Sequence, residues 1–513
     1  MKLQSKYYNL FKDFVIHNIA LIFCIVSAII AITICSKSSP IYPFNDWVDS
    51  NCYFTVGKSI FKGLVPYRDL VEQKGPFIYF VHALASIISY KTFLGVYFFE
   101  IISASIFLFY SYKTLELFCG KKVYLVIPFF VLIIFTSTAF RHGDSAEELC
   151  FPFIAYLIYI TFKNIQTHTE ITNKEFIFIG ITAACVFWTK FTLCGIFLGW
   201  YIPFFINSII RKKFKTILNS ILFIILGLFA GTLPYLIYFG ISHSLKDLFE
   251  IYIYDNIFLY SEVESNNSSF IHTIKELIQN LIWGAKDFHK YYPAGFYLII
   301  LGGLYCFFRK WRTQLIYAFS MFAFAFIFIF IAGRKYPYYS LGLTPIICLG
   351  FVPIFIILNS DNAIHKLFSR KTYLVYIIIP GLIFYLTDNR YLLKLSKKEL
   401  PQYKFANIIS QTPDATLLNY GKLDLGLYTT TGIIPNCKYF CQLNVPLEIM
   451  KKTQDIYIEK GLSDYIVTFE DNPDESTISS VDKNNLYILV DKVEYWYEDR
   501  IRYYSLYKLS DIK

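Results

Sequence analysis

Residues 45 to 76 combine acids, cations, tyrosines and glycines in a polar stretch that lies between apolar segments. Asp46 and Asp49 are three residues apart, so a helical turn would place both carboxylates on one face, with Tyr53 one turn beyond Asp49. A carboxylate at a membrane interface can act as a general base on a hydroxyl group if its surroundings raise its pKa. Both acids also precede a helix-like run, Cys52–Phe61, so helix capping is an alternative role.

A second polar cluster fills a short turn between two apolar segments and comprises Arg141, His142, Asp144, Glu147 and Glu148. Ionisable residues at membrane depth are costly, and they usually face a cavity or a partner. Because Glu147 and Glu148 begin the next apolar segment, at least one of them could point towards the first polar stretch. Favourable placement of acids at a helix N-terminus would explain the same pattern without a ligand.

Two groups of cations lie at the ends of later apolar segments. Lys190 could bind a lipid phosphate, although snorkelling to the headgroups is the commoner role of such a lysine. The late turn comprises Arg334, Lys335, Tyr336, Pro337, Tyr338 and Tyr339. Cations beside an aromatic wall suit a phosphate with a sugar ring, because Arg binds phosphate bidentately. These tyrosines could also belong to an aromatic belt at the membrane interface, which would need no ligand. The two cations favour a ligand.

The composition is that of a membrane protein. Of 513 residues, 55% are hydrophobic and 17% are charged, whereas soluble domains carry about 25% charged residues. The net charge of +10 does not indicate nucleic-acid binding, because the Lys and Arg residues lie mostly in short loops between apolar segments. The eleven Cys residues are scattered without metal-ligand spacing, so most are predicted to be small core residues.

About eleven membrane spans are predicted from apolar runs of roughly 20 residues. They cover residues 14–35, 93–117, 123–140, 147–163, 175–189, 192–210, 217–240, 291–308, 314–332, 339–358 and 372–387. Counting the short apolar run 76–90 as a further span would place basic clusters such as Arg211–Lys215 and Arg309–Arg312 outside. The positive-inside rule therefore favours an interfacial or re-entrant segment there and a cytoplasmic N-terminus.

Composition changes after Asn389. An odd number of spans places residues 390–513 and the first loop, residues 36–92, outside the membrane, with residues 1–389 as the membrane domain. Strand-like runs at 415–420, 464–469, 486–491 and 502–509 and a helical run near 446–460 predict a small C-terminal extracytoplasmic α/β domain. Cys437 and Cys441 have a spacing that permits a disulfide in an oxidising compartment, and two free thiols are equally consistent.

At these residues the chain resembles the GT-C superfamily of integral-membrane glycosyltransferases, especially the bacterial branch related to protein O-mannosyltransferases and aminoarabinose transferases. That family has Asp-x-x-x-Tyr in its first outer loop, then a Gly, then Lys-(x)-Pro before an interfacial helix. The matching positions are Asp49, Tyr53, Gly63, Lys74 and Pro76. The family also has a second acidic position, which Asp144 or Glu147 matches. Lys190 matches a lysine that the family has at the end of a span. Residues Gly333–Tyr339 match the Gly-x-x-Tyr-Pro-x-Tyr turn of the family.

The resemblance implies inverting transfer of a hexosyl or pentosyl group from a polyprenyl-phosphate donor at the outer face of the cytoplasmic membrane. Asp49 would be the base, with Asp46 as a rival because this loop reads Asp-Ser where many members have Asp-Glu. Tyr53, Lys74 and the polar residues of the second cluster, Lys190 and the late turn would bind substrate. Some relatives use a divalent metal near the acids, and the sequence leaves that cofactor open. The acceptor (an envelope glycan, teichoic acid or glycolipid) is not carried over, because residues 390–513 match no subfamily.

Other membrane functions remain as alternatives. An O-antigen ligase or polysaccharide polymerase would rely on Arg and His in a late loop, and a non-catalytic relative would use the outer domain only for docking. A transporter of lipid-linked sugars would need ionisable residues at mid-bilayer and broken helices in matching halves. The charges here gather at one face, which disfavours a transporter. No P-loop, HExxH or GxSxG motif appears in a supporting context, so ATP-driven transport and zinc proteolysis lack support.

Overall fold

A computed structural model describes residues 2–259, 270–360, 372–445, 447–471, 481, 486–497 and 500–510. Its α-helices are α1 Lys2–Cys35, α2 Val48–Ile60, α3 Pro76–Ile88, α4 Leu94–Cys119, α5 Ile127–Phe135, α6 Ala146–Thr167, α7 Asn173–Lys190, α8 Gly195–Ile210, α9 Phe214–Ile241, α10 Leu245–Asp247, α11 Phe270–Tyr291, α12 Pro293–Phe308, α13 Arg312–Phe330, α14 Thr344–Ile347, α15 Phe351–Ser360, α16 Thr372–Leu386, α17 Pro401–Ile409, α18 Leu427–Thr431 and α19 Glu448–Glu459. The strands are β1 Leu417–Asn419, β2 Tyr465–Glu470, β3 Tyr487–Tyr497 and β4 Arg500–Leu509, and residues Leu248–Leu259 form a π-helix.

Seven helical stretches within the described residues are long and apolar enough to cross a membrane. They are Asn18–Cys35, Leu94–Cys119, Ala146–Thr167, Asn173–Ile210, Phe214–Ile241, Arg312–Phe330 and Pro337–Ile357. The pair His272–Tyr291 and Pro293–Phe308, bent by 109°, passes the same test when taken together. The chain is therefore a multi-pass α-helical membrane protein, as the sequence predicted. The count of eleven spans stays a prediction.

Two apolar runs form helices too short to cross a bilayer alone. The run 123–140 contains α5, whose nine residues rise only about 14 Å against a hydrocarbon core of about 30 Å, with 3₁₀ turns at Lys121–Val126 and Thr138–Phe140. Pro128 lies at the start of α5, where the missing N–H of proline is tolerated. Helix α3 has 13 residues and extends about 20 Å, which suits the interfacial or re-entrant position predicted for 76–90.

The chain forms two compact units. Unit 1 comprises residues 1–36, 100–233 and 262–389, and unit 2 comprises residues 37–99, 234–261 and 390–513. The first loop thus shares its unit with the C-terminal segment, although some 300 or more residues separate them in sequence. The division at Asn389 into a membrane domain and an exported domain stays a prediction.

Within unit 1, close helix packing depends on small residues. Helices α8 and α13 run against each other, and a Cβ on Gly199 would lie 2.5 Å from the carbonyl oxygen of Ser320. No side chain fits there, so the two backbones approach at van der Waals distance. Such approach is typical of membrane helices, whose association depends on packing rather than on the hydrophobic effect.

Unit 2 combines a helix pair with a small sheet. The strand order is β1-β2-β4-β3, with β1 and β2 parallel and the other neighbours antiparallel. Helix α19 lies between β1 and β2 in sequence, as the crossover that a parallel pair requires. A buried core of Leu418, Tyr420, Cys437, Ile458, Ile466, Val481, Tyr487 and Tyr507 lies against the sheet. The four strands and the helix predicted in the C-terminal segment are confirmed.

Candidate active site

Helix α2 presents Asp49 in its first turn. The helix begins at Val48, after Trp47 in an extended conformation that makes no side-chain capping bond. Asp49 is half-buried, and its Oδ2 accepts a hydrogen bond of 3.3 Å from the Tyr53 hydroxyl one turn later. A helix N-terminus favours a carboxylate electrostatically. Asp49 is therefore an oriented acid that retains access to solvent.

Asp46 has a different environment. It precedes α2, so the prediction that Asp46 and Asp49 share one helical face is wrong. Asp46 is 4% exposed, its Oδ1 accepts a 2.6 Å ion-paired bond from the buried Lys37 ammonium, and its Oδ2 accepts a 2.7 Å bond from the Tyr495 hydroxyl. Burial and the adjacent Asp46 carboxylate hold the pKa of Tyr495 well above its usual value, so this hydroxyl remains a donor. Both oxygens of Asp46 are engaged in structural contacts.

Lys74 lies beside the same helix. Its ammonium nitrogen is 5.6 Å from the centre of the Tyr53 ring. The Lys74 backbone is held at both ends, because its N–H donates to Glu72 Oε2 over 2.8 Å and its carbonyl accepts from the Tyr67 hydroxyl over 2.6 Å. The structure therefore brings together Asp49, Tyr53 and Lys74, three residues singled out in the sequence. Glu72, which orders this turn, was not identified.

Buried polar contacts hold α2 against the C-terminal segment. Asn51 Oδ1 accepts a 2.9 Å bond from the Thr429 hydroxyl, and the Thr55 hydroxyl donates to Asp424 Oδ2 over 2.7 Å. One turn further, the Lys58 ammonium donates to the backbone carbonyl of Tyr428. These contacts fix the helix that carries Asp49. They escaped sequence reasoning because the partners lie far apart in the chain.

Burial also changes the titration of this interface. The Lys58 side chain is fully buried, and desolvation lowers its pKa from 10.5 to about 7. The Asp424 carboxyl, also fully buried, has its pKa raised by desolvation. Each shift disfavours the charged form, as expected for ionisable groups in a poorly hydrated environment.

In unit 1, the polar turn before α6 is shaped by a buried acid that the sequence analysis missed. Gly143 and Asp144 have φ values of 73° and 54°, and Ser145 caps α6 by accepting a 3.1 Å bond from the Glu148 N–H. Glu100 accepts the Asp144 N–H over 2.9 Å and the Ser36 hydroxyl over 2.7 Å. Glu100 lies within the predicted span 93–117, and an acid at such a position is itself a functional signal.

The other members of this turn differ in exposure. Glu148 is 2% exposed, and its two carboxylate oxygens have no hydrogen-bond partner among the residues that the structure describes. Arg141 and His142 are half-buried. The guanidinium Nε of Arg141 lies 3.9 Å from Asp388 Oδ2, and its carbonyl accepts a 2.9 Å bond from the Asn389 side chain.

Three predicted residues from distant segments of unit 1 meet at one point. The Lys190 ammonium, at the end of α7, forms an ion pair with Glu147 Oε1 and lies 3.6 Å from the centre of the Tyr339 ring. The side chains of Lys190 and Glu147 are 11% and 1% exposed. Lys190 therefore points to an acid and an aromatic face within the protein, and this contact differs from the snorkelling alternative.

The late turn separates its two cations. Gly333 has a φ of 81°, in a region that side chains disfavour, and this reverses the chain before Arg334. The rings of Tyr336, Tyr338 and Tyr339 lie 5.3 to 5.5 Å apart. Lys335 is exposed and its ammonium lies 4.7 Å above the Trp283 ring, whereas Arg334 is half-buried.

The described residues offer no closed set of protein ligands for a divalent metal. Among them, no group of three or more His, Cys, Asp and Glu side chains is arranged to hold a metal ion. The carboxylate of Glu100, which lies in the acidic turn region, is engaged by the Ser36 hydroxyl and the Asp144 amide.

No family model and no curated protein sequence matches the chain. Among solved structures, the chain is similar to ArnT from Cupriavidus metallidurans, an aminoarabinose transferase crystallised with undecaprenyl phosphate, with a TM-score of 0.57 and 11% identity over 94% of this chain and 97% of ArnT. It is also similar to the oligosaccharyltransferase of Archaeoglobus fulgidus, with a TM-score of 0.45 and 12% identity over 87% of this chain and 67% of that one.

The similarity to ArnT extends over nearly the whole of both chains. At this level of identity it establishes the fold, which the resemblance of the sequence motifs had predicted. The chain is therefore a multi-pass membrane protein with the GT-C fold.

Proposed function

We propose that this protein is a glycosyltransferase that takes a sugar from a polyprenyl-phosphate donor and transfers it to a hydroxyl group in the cell envelope. Two lines of evidence support the proposal: the fold shared with ArnT, whose structure contains undecaprenyl phosphate, and the half-exposed Asp49 in the first turn of α2, beside Tyr53 and Lys74. The second observation carries the proposal. A membrane enzyme can recruit such a donor laterally from the bilayer.

Asp49 is the proposed general base. Its carboxylate accepts a proton from the acceptor hydroxyl. The acceptor oxygen forms a bond to the anomeric carbon of the donor sugar. At the same time the bond between the anomeric carbon and the phosphate oxygen breaks. A single displacement without a protein nucleophile inverts the anomeric configuration. Asp46 fits this role poorly, because Lys37 and Tyr495 engage its carboxylate inside the protein.

The leaving group is a polyprenyl phosphate monoester, so developing negative charge must be stabilised. Lys74 is the proposed cation for this charge, because its ammonium lies over the ring of Tyr53, which donates to Asp49, and its backbone is fixed by Glu72 and Tyr67. Preorganised positive groups are effective where charge develops during the reaction. Lys190, Arg334 and Lys335 remain proposed donor ligands.

The remaining predicted substrate-binding residues also enter the proposal. They are Arg141, His142, Asp144, Glu147, Glu148, Tyr336 and Tyr339. Glu147 orients Lys190 through its ion pair, and Tyr339 supplies an aromatic face at 3.6 Å from the same ammonium. The outer face of the cytoplasmic membrane is the proposed side of transfer, based on the predicted positive-inside orientation.

The test is Asp49→Asn in the full-length protein. In membranes supplied with a panel of undecaprenyl-phosphate sugars, release of undecaprenyl phosphate should fall by about 10²- to 10⁴-fold, the usual contribution of a general base, while the melting temperature is unchanged. In a deletion strain, the unaltered gene should restore the sugar composition of the surface polymers and the variant should not. Glu448→Gln is a matched control, because Glu448 is an exposed first-turn carboxylate on α19. Full activity of Asp49→Asn would overturn the proposal.

A further inference from the structure

Two cysteines from opposite ends of the chain are in contact within unit 2. Cys52 lies on α2, and Cys441 lies in the C-terminal segment, 389 residues later. Their sulfur atoms are 3.7 Å apart as thiols, and each residue is 1% exposed. The contact is therefore a buried pairing of two thiol side chains.

The contact lies inside the interface that holds α2. It is flanked by the Asn51–Thr429 bond of 2.9 Å and the Thr55–Asp424 bond of 2.7 Å. These bonds fix the backbones on both sides of Cys52. Conversion of the contact to a disulfide needs an approach of the two sulfur atoms to about 2.05 Å.

We propose that Cys52 and Cys441 form a disulfide that covalently links α2 to the C-terminal segment. Two S–H bonds break and one S–S bond forms, with loss of two protons and two electrons. The electron acceptor is the disulfide of a thiol–disulfide oxidant. This disulfide is reduced to two thiols by exchange through a mixed disulfide. The proposal requires an oxidising compartment, consistent with the predicted exported location of both segments.

Cys437 was the alternative partner of Cys441 in the sequence analysis, because only three residues separate them. In the structure, Cys437 belongs to the core beside the sheet, with Leu418, Ile458 and Ile466 as fellow members. Cys441 instead contacts Cys52. The tertiary structure therefore assigns a different pairing from the one that spacing permits.

The timing of the reaction follows from burial. Desolvation raises the pKa of both the Cys52 and the Cys441 thiol. Because the thiolate is the reactive species, and because both sulfur atoms are enclosed, the folded dithiol reacts slowly with an oxidant. The bond therefore forms before α2 docks completely. In the finished protein it fixes the helix that carries Asp49 and Tyr53.

Peptide mapping tests the proposal. The full-length protein is purified from membranes without reductant, unfolded in excess N-ethylmaleimide, and digested with trypsin. Cleavage after Lys438 separates Cys437 from Cys441, so the two pairings give different products. The expected product joins residues 38–58 to residues 439–451, and reduction separates them. Alkylation of both Cys52 and Cys441 in the first step, or a peptide joining 423–438 to 439–451, would overturn the proposal.

Variants provide independent controls. In Cys437→Ser, the cross-linked peptide should persist in full, whereas in Cys52→Ser it should disappear and Cys441 should be alkylated. Reduction should lower the melting temperature of the unchanged protein by several degrees and leave that of Cys52→Ser nearly unaffected. None of these measurements uses sugar transfer, so a failure of the disulfide proposal is distinguishable from a failure of the proposed function.

Discussion

The first loop of unit 2 and the Glu147–Lys190 pair of unit 1 both contain acids and lysines near apolar segments, but their charges are arranged differently. Asp49 in the first loop is half-buried and keeps access to solvent. Glu147 is 1% exposed and paired with a lysine that also contacts an aromatic ring. An acid with solvent access can exchange a proton with a substrate, whereas a paired and buried acid mainly holds its partner in place.

The same contrast occurs within the first loop, between Asp46 and Asp49. Both are aspartates in the same polar stretch, yet only Asp46 is enclosed by Lys37 and Tyr495. Residue type and sequence position therefore do not distinguish a proposed catalytic acid from a structural one. The burial of each carboxylate and the partners that surround it distinguish the two acids, and substitutions can test this distinction.

Asp46→Asn should destabilise the protein by about 3 kcal/mol, because it removes the carboxylate that faces a fully buried lysine ammonium. Equilibrium unfolding in mild detergent measures this loss. Asp49→Asn is the paired variant, and its free energy of unfolding should change by less than about 0.5 kcal/mol, because the position is half-buried and the Asn amide oxygen can still accept the Tyr53 hydrogen bond. A larger loss of stability in Asp49→Asn than in Asp46→Asn would reverse the assignment of the two acids.

Gly57→Ala should destabilise unit 2 by about 2 kcal/mol, within the range expected for overpacking. A Cβ on Gly57 would lie 2.6 Å from the Cβ of His82 and 2.8 Å from the backbone nitrogen of Ala83 on α3. The melting temperature of the full-length protein reports the effect. Gly303→Ala in α12 is the control, because a Cβ there meets no atom within 4 Å. Equal melting temperatures for the two variants would show that α2 and α3 do not pack this closely.

Glu147→Gln and Lys190→Met should each cost about 2 kcal/mol, and the double variant should cost less than the sum, because the two charges stabilise each other. The free energies of unfolding of the unchanged protein, the two single variants and the double variant form a double-mutant cycle that measures this coupling. Lys163→Met is the control. Lys163 forms an ion pair with Glu175 whose side chains are 36% and 17% exposed, and more exposed ion pairs contribute less to stability. Additive effects at Glu147 and Lys190 would contradict the pairing.

Lys58→Met should alter the pH dependence of stability. The pKa of about 7 in the folded protein lies below the usual 10.5, so above pH 7 the unfolded chain holds a proton that the folded chain has released. The free energy of unfolding therefore rises with pH. Between pH 7 and 9, that of the unchanged protein should increase by up to about 1.4 kcal/mol per pH unit more than that of Lys58→Met. Lys62→Met, at an exposed position one turn on, should keep the slope of the unchanged protein. Identical slopes for all three proteins would contradict a lowered pKa at Lys58.

Several features of the protein were predictable because they depend on local sequence. Long apolar runs predicted membrane helices, and strand-like runs predicted all four strands of the C-terminal segment. The one-turn spacing of Asp49 and Tyr53 placed the two side chains in contact. The position of Glu147 and Glu148 at the start of a helix was predictable for the same reason.

Contacts between distant segments depended on the tertiary structure. The enclosure of Asp46 by Tyr495, the pairing of Lys190 with Glu147 and the approach of Cys441 to Cys52 join residues that no periodicity relates. Periodicity shows which face of an element is apolar, but it does not specify which other element will cover that face. The partner of a buried polar group is set when the elements pack, and in this protein that packing separates the structural acid from the proposed catalytic one.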